Sequence, residues 1–338
     1  MREAARENAS GTPAATFIPL LRLDSVTKRY GPTVAVDNLS LDVGAGEVCV
    51  LVGPSGCGKT TTMKMVNRLI EPTSGRIEVD GQDVMGMDPV LLRRRIGYVI
   101  QQVGLFPHQT VAENVDTVPR LLGWDKRRVR ARTTELLELV GLDPERFARR
   151  YPHELSGGQR QRVGVARALA GDPPVLLMDE PFGAIDPITR DRLQVEFLRL
   201  QAEVRKTVVF VTHDIDEAVR VGDRIAILAE GGRLEQYDKP AVVLGRPATP
   251  FVADFVGADR GVKRLQVTPI DAAALDPSLP ATGPRVPSDA TLADALSALL
   301  DSDADWVSVV DDGDGGRYLG GLTLPALHAA ARVAATGT

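Results

Sequence analysis

Three clusters of residues in this chain have the types and spacing to act on a nucleotide. Gly53 to Thr60 reads GPSGCGKT. It fits the eight-residue phosphate loop without a mismatch, a pattern whose glycines let backbone amides face phosphate oxygens. Lys59 is spaced to reach the β- and γ-phosphates, and Thr60 to place a hydroxyl on Mg²⁺. The loop needs a buried strand before it and a helix after it. EVCVLVG, Glu47 to Gly53, supplies the first, and a helix expected from Lys59 to about Ile70 supplies the second. VLLMDE then sets two carboxylates at the end of another apolar run. Alternation along a strand aims them differently, so Asp179 can hold Mg²⁺ through water while Glu180 polarises an attacking water. An isolated Asp-Glu pair is usually a solvated turn, but one between VLLM and PFGAID is far more specific. The third cluster is LSGGQ, Leu155 to Gln159. Ser156 can cap the helix running through RQRVGVARALA and leave amides free at its start. Taken alone it is an ordinary capped helix, and one nucleotide gives no reason for a second phosphate-binding loop.

Two single residues extend the pattern. A histidine after a strand is more often structural than catalytic. His213, however, follows VVFVT and lies about 33 residues beyond the Asp-Glu pair, which favours a γ-phosphate contact. Gln101 follows the strand-like IGYVI and could touch both Mg²⁺ and the attacking water, although its neighbour Gln102 leaves the choice between them open.

The elements that must carry these residues are legible in outline. Leu21 to Val43 reads as short strands with turns at Gly31-Pro32 and Gly44-Ala45-Gly46. Val175 to Met178, Thr207 to Thr212 and residues 223–228 are further buried-strand runs, while Val90 to about Arg150 reads as a mostly helical subdomain. Strands alternating with helices imply a sheet with a parallel core and helices against it. Residues 1–19 are small and polar and are expected to be a disordered lead-in without a signal-peptide core. After about residue 261 the character changes. Val262 to the end carries 5 basic and 10 acidic residues, which accounts for the whole net charge of −5. Residues 271–287 read as a linker or loop. A helix through DATLADALSALL follows, capped by Asp289 or Thr291, then strands at WVSVV and RYLGGLTL around the turn DDGDGG, and a helix over 325–334.

Composition narrows the function classes. Hydrophobic content of 43% supports a packed core, and the net charge does not indicate general nucleic-acid affinity. Two cysteines, Cys49 and Cys57, give no disulfide framework and fit a reducing cytoplasm. No apolar run approaches the length of a bilayer span, so a membrane role must come through a partner.

Taken together, the motifs resemble the ATPase subunit of ABC transporters over roughly residues 21–245. GPSGCGKT looks like that family's Walker A, VLLMDE its Walker B and LSGGQRQRVGVARAL its signature; FGAID resembles its D-loop, and VTHD its switch histidine. The resemblance implies an α/β fold, a RecA-like core sheet with a helical subdomain at about 90–170, within an ATPase domain at 20–260. It implies ATP and Mg²⁺ as cofactors. ATP contacts would come from Tyr30 (stacking on adenine), Gly53, Pro54, Ser55, Gly56, Cys57, Gly58, Lys59, Thr60, Thr61, Ser156, Gly157, Gly158, Gln159 and Asp186. Thr60, Gln101 and Asp179 would serve the metal, and Glu180, His213 and Gln101 catalysis. It also explains the second loop. In the family two subunits pair head to tail, and the phosphate loop of one and the signature of the other close on the same ATP.

More narrowly, IGYVIQQVGLFPHQTVAENV and FVADFVGADRGVKRL look like the ATPase subunits of glycine betaine, carnitine and choline importers, and residues 261–338 are similar to a single CBS domain with a regulatory role. The expected partners are a second copy, integral membrane permease subunits contacted through GLFPHQTVAENV, and indirectly an extracytoplasmic binding protein, at the cytoplasmic face of the cell membrane. An importer ATPase for an amino acid, polyamine or sugar is the alternative.

Overall fold

The computed structural model of the chain describes residues 19–101, 104–183, 186–311 and 316–334. The expected lead-in, Gln102 and most of DDGDGG lie outside the described residues. Two long strands come first, β1 (Leu21–Tyr30) and β2 (Thr33–Val43), paired antiparallel with Leu21 opposite Val43 and Tyr30 opposite Thr33. β3 (Val48–Val52) is different: every residue is buried, as a strand covered on both faces must be. It leads through the glycine-rich loop into α1 (Lys59–Val66). The helix stops short of the expected Ile70 because Arg68, just past the cap Asn67, takes φ 47, a left-handed turn that ends α-helices. β4 (Ser74–Val79) and β5 (Gln82–Asp83) complete a sheet ordered β2-β1-β4-β5.

α2 (Pro89–Arg95) starts under an Asp88 cap and is followed at once by β6 (Ile96–Val99). The helical subdomain expected from about residue 90 therefore begins later than its sequence suggested. β6 carries the strand-like IGYVI pattern and belongs to the main sheet, although it lies inside the stretch read as mostly helical. The helices proper are α3 (Val111–Leu121), α4 (Lys126–Leu139), α5 (Pro144–Phe147) and α6 (Gly157–Leu169). β7 (Val175–Asp179), α7 (Pro187–Val204), β8 (Thr207–Thr212), α8 (Ile215–Val221), β9 (Arg224–Ala229) and β10 (Arg233–Asp238) then alternate. The main sheet runs β10-β9-β3-β8-β7-β6, parallel except for β10.

Alternation within these parallel strands feeds two cores. Val48, Val50, Val52, Leu176, Met178, Val208 and Phe210 point into a cluster shared with α6 and α7; Cys49, Leu51, Val175, Leu177, Val209 and Val211 point into one shared with β1 and β2. Three short helices leave the sheet, α9 (Pro240–Gly245), α10 (Pro250–Val256) and α11 (Arg260–Leu265), the last crossing the expected junction at residue 261.

The tail has its own apolar cluster. It comprises β11 (Arg285–Pro287), α12 (Leu292–Leu300), β12 (Trp306–Val310), β13 (Tyr318–Thr323) and α13 (Leu324–Ala334). Thr291, rather than Asp289, caps α12, in a reciprocal capping box with Asp294. The linker reading of 271–287 is corrected at its end, where β11 pairs in parallel with β12. A three-residue strand containing proline carries no periodic signal.

Phe210 anchors the cluster beneath the site, fully buried with the rings of Phe182 and Phe197 at 5.7 and 5.9 Å. Phe210→Ala is expected to cost about 3–5 kcal/mol in denaturant unfolding. Leu300→Ala, at a side chain 77% exposed, should stay within about 0.5 kcal/mol of the parent.

Candidate active site

Four neighbouring strands deliver the candidate residues to one edge of the main sheet. β3 ends at the phosphate loop, β8 at His213, β7 at Asp179 and Glu180, and β6 just before Gln101. Ligands of open parallel sheets sit in this crevice outside the carboxyl ends of the strands.

The phosphate loop is shaped by close approach. Gly58, the cap of α1, has φ 94, and a Cβ there would lie 2.3 Å from the Ala35 carbonyl oxygen on β2. A Cβ on Gly53 would lie 2.2 Å from the Leu228 carbonyl oxygen. Glycine at 58 also leaves the first turn of α1 without a side-chain cap, so its amides are available to an anion. Pro54, Ser55 and Gly56 form an exposed rim, Gly53, Cys57 and Gly58 are buried, and Thr61 is half-buried on α1. The buried Lys59 ammonium donates to the carbonyl oxygens of Gly53 at 2.7 Å and Pro54 at 2.9 Å.

Thr60 Oγ1 donates to Asp179 Oδ1 at 3.1 Å. Burial pushes the Asp179 carboxyl above the usual carboxylate range, against the lowering effect of the Thr60 hydrogen bond. A buried carboxylate beside a hydroxyl, both hard oxygen donors, fits Mg²⁺, which is held by one or two carboxylates together with phosphate oxygens. No cluster of three His, Cys, Asp or Glu suited to a metal occurs among the described residues. Tyr98 on β6, for which the sequence carried no signal, also faces this carboxylate; burial and the Asp179 charge push its phenol up to about 12.

Glu180 is held separately. Its φ of 44 is left-handed, and its N–H donates to the Val211 carbonyl oxygen at 2.9 Å. The turn separates its carboxylate from that of Asp179. Gln101 Nε2 donates to Glu180 Oε2 at 2.8 Å, and His213 Nδ1 lies 3.4 Å from Glu180 Oε1. One ring nitrogen of His213 thus addresses the carboxylate, leaving Nε2 for another partner. The arrangement can orient a carboxylate toward a water and place an imidazole beside it.

The structure brings together Lys59, Thr60, Asp179, Glu180, Gln101 and His213. Other candidates lie on other elements. Ser156 caps α6 in a capping box with Gln159: Gln159 N donates to Ser156 Oγ at 3.2 Å, and Ser156 N to Gln159 Oε1 at 2.9 Å. Ser156 and Gly157 face solvent, and Gly158 is half-buried. α6 packs on α3, α4 and β6, whereas α1 packs on β2, β7 and β8. Among the described residues no hydrogen bond joins 156–159 to 53–61. Asp186 caps α7 by accepting from Thr189 N at 3.0 Å, which holds its carboxyl below the usual range; Ala184 and Ile185 lie outside the described residues. Tyr30 ends β1 with 51% of its surface exposed and the Lys28 ammonium 5.0 Å from its ring centroid, so a ring face is open to stacking.

Comparison with known proteins bears on the same residues. The family model described as "ABC transporter" matches residues 36–183. The chain is 51% identical over 299 residues to the osmoprotectant import ATP-binding protein OsmV of Salmonella typhimurium, covering 87% of this chain and 77% of that one. It is 52% identical over 293 residues to the glycine betaine/carnitine/choline transport ATP-binding protein OpuCA of Bacillus subtilis, covering 86% and 76%. Among solved structures, a dimeric bacterial ABC transporter cassette is 39% identical with a TM-score of 0.58, covering 65% of this chain and 98% of that one.

Asp179 gives a prediction with opposite signs for stability and activity. Its raised pKa means that ionising this carboxyl costs more in the folded chain than in the unfolded one. Asp179→Asn should therefore raise the melting temperature at pH 8, in the absence of nucleotide and metal. The gain should shrink as pH falls into the acidic range, where the parent carboxyl takes up its proton. The same variant should lose ATP hydrolysis. Paired melting curves at pH 8 and pH 5 and a phosphate-release assay check both.

Proposed function

The chain belongs to the ABC transporter ATP-binding proteins, and from that premise we propose that it energises import of a quaternary-amine osmoprotectant: glycine betaine, choline or carnitine. The observation that carries this reading is the identity of 51% to a subunit named for osmoprotectant import and of 52% to one named for glycine betaine, carnitine and choline transport. Those matches span 86–87% of the chain, more than the ATPase domain at 20–260, so they extend into the tail. Import of an amino acid, polyamine or sugar would leave that extension unexplained.

Two copies pair head to tail, and each ATP is closed between the phosphate loop of one and the signature of the other. Support comes from within the chain, where the uncapped start of α1 and the solvent-facing, Ser156-capped start of α6 sit on separate elements, and from the dimeric cassette among the similar structures. Lys59 and the α1 amides bind the β- and γ-phosphates, and the Tyr30 ring stacks on adenine. Glu180 orients and polarises the attacking water, Gln101 and His213 hold its two carboxylate oxygens in place, and His213 Nε2 contacts the γ-phosphate. Thr60, Asp179 and Gln101 hold Mg²⁺, which when bound neutralises phosphate charge. On the partner side, Gly157 and Gly158 present backbone amides to the γ-phosphate from the turn that the Ser156–Gln159 capping box holds, and Asp186 lies at the seam.

The tail is a single CBS-like regulatory unit at 261–338. Its order β11-α12-β12-β13-α13 around a separate core supports that reading. No helix among the described residues is long and apolar enough to cross a membrane. Permease subunits, contacted through residues 104–115, hold the chain at the cytoplasmic face. A binding protein outside the membrane delivers the solute.

The test is reconstitution with permease and binding-protein partners in liposomes, measuring ATP hydrolysis against a solute panel. Stimulation by glycine betaine, choline or carnitine alone is expected. Stimulation by methionine, a polyamine or a sugar instead would overturn the cargo while leaving the ATPase intact.

A further inference from the structure

The chain leaves its nucleotide-binding core through a narrow seam. α11 packs against α9 on one side and α12 on the other. Leu265, at its end, joins the apolar cluster of the tail, whereas Val267 packs against the cluster beneath the main sheet. Lys263 lies on this helix with its side chain only 15% exposed. Its ammonium is 2.7 Å from Asp216 Oδ1 and 3.3 Å from Asp259 Oδ1. Asp259, one turn earlier, steadies the lysine, and Asp216 lies across the seam on the first turn of α8.

That first turn is tied closely to His213. Asp216 N donates to Asp214 Oδ1 at 2.9 Å, and Asp214 N donates to Thr212 Oγ1 at 3.1 Å. Thr212 ends β8, so residues 212–216 form a short run of side-chain-to-backbone bonds with His213 inside it. From within the core, Gln194 Nε2 fixes the next residue by donating to Glu217 Oε1 at 3.0 Å. Lys263 grips the same turn from outside. The residue that follows the nucleotide-binding core in sequence therefore reaches back to the loop that faces Glu180.

We infer that Lys263 is a positioning residue for ATP hydrolysis: its ion pair with Asp216 fixes the start of α8 and thereby holds His213 against Glu180. The inference rests on the role of His213 given above. It makes the seam, through one charge pair, part of what sets the turnover rate. Asp216 is 65% exposed, so the pair is screened by salt and should shift a positional equilibrium by about two- to fivefold.

ATP hydrolysis by the full-length chain tests this. Lys263→Ala should lower kcat by about threefold with KM for ATP unchanged, as expected when positioning rather than nucleotide binding is lost. Lys263→Arg should keep the parent rate. Asp216→Asn should reproduce the loss, and combining it with Lys263→Ala should add nothing further, since each already removes the pair across the seam. Raising the salt concentration should bring the parent kcat down toward that of Lys263→Ala. His213→Ala, run alongside, separates the two readings. If it hydrolyses ATP at the parent rate, the role of His213 fails and the inference with it. If it is inactive while Lys263→Ala and Asp216→Asn keep the parent kcat and salt response, the inference alone is overturned. A lower melting temperature with unchanged kcat in Lys263→Ala would show a purely structural contact and overturn it as well.

Discussion

Parallel pairing holds β3, β8, β7 and β6 in one register, with Val52 beside Thr212, Val211 beside Asp179 and Met178 beside Val99. Everything chemical in the site depends on that register. Because the strands run the same way, their last residues fall at one edge, and the residues just beyond them meet there. A slip of one residue in β7 would exchange Leu177 for Met178 between the two cores and turn Asp179 away from Thr60. Packing on both faces, Val50 and Phe210 to one side and Leu51 and Val209 to the other, makes such a slip costly. Catalytic geometry and core packing are thus the same constraint.

Within that frame two adjacent carboxylates are given different surroundings. Asp179, the last residue of its strand, is buried and short of compensating charge, a situation that a divalent cation relieves. Glu180 is turned out of the strand by a left-handed backbone, a conformation that costs a residue with a side chain about 1–2 kcal/mol. The Val211 carbonyl and the Gln101 amide hold it there. The strain gives two adjacent carboxylates different partners, Thr60 for Asp179 and Gln101 for Glu180.

Most of this site was legible because its chemistry is local. A glycine-rich loop between strand and helix, and an Asp-Glu pair ending an apolar run, carry their meaning in neighbouring residues. So did the strands of the parallel core, whose buried runs at 175–178 and 207–212 lie within β7 and β8. What escaped was fixed by partners distant in sequence. β11 is a strand because β12 pairs with it. α1 ends at the left-handed Arg68, which no glycine or proline marks. Tyr98 meets Asp179, and Lys263 meets Asp216, only through the tertiary fold.

The two glycine-rich helix starts bring these threads together. The start of α1 is built around Lys59 and Asp179, while the start of α6 faces solvent with its amides unclaimed by the first site. In the proposed head-to-tail pair, a chain with both is half of two sites. Sedimentation of the Glu180→Gln variant with and without ATP tests it most directly. With the proposed water activation removed, ATP should drive the variant from monomer to dimer, and adding Gly158→Asp, which sets a negative side chain in the signature, should keep it monomeric. Dimers that form equally well with Gly158→Asp, or a Glu180→Gln chain that stays monomeric at saturating ATP, would contradict a site shared between two copies.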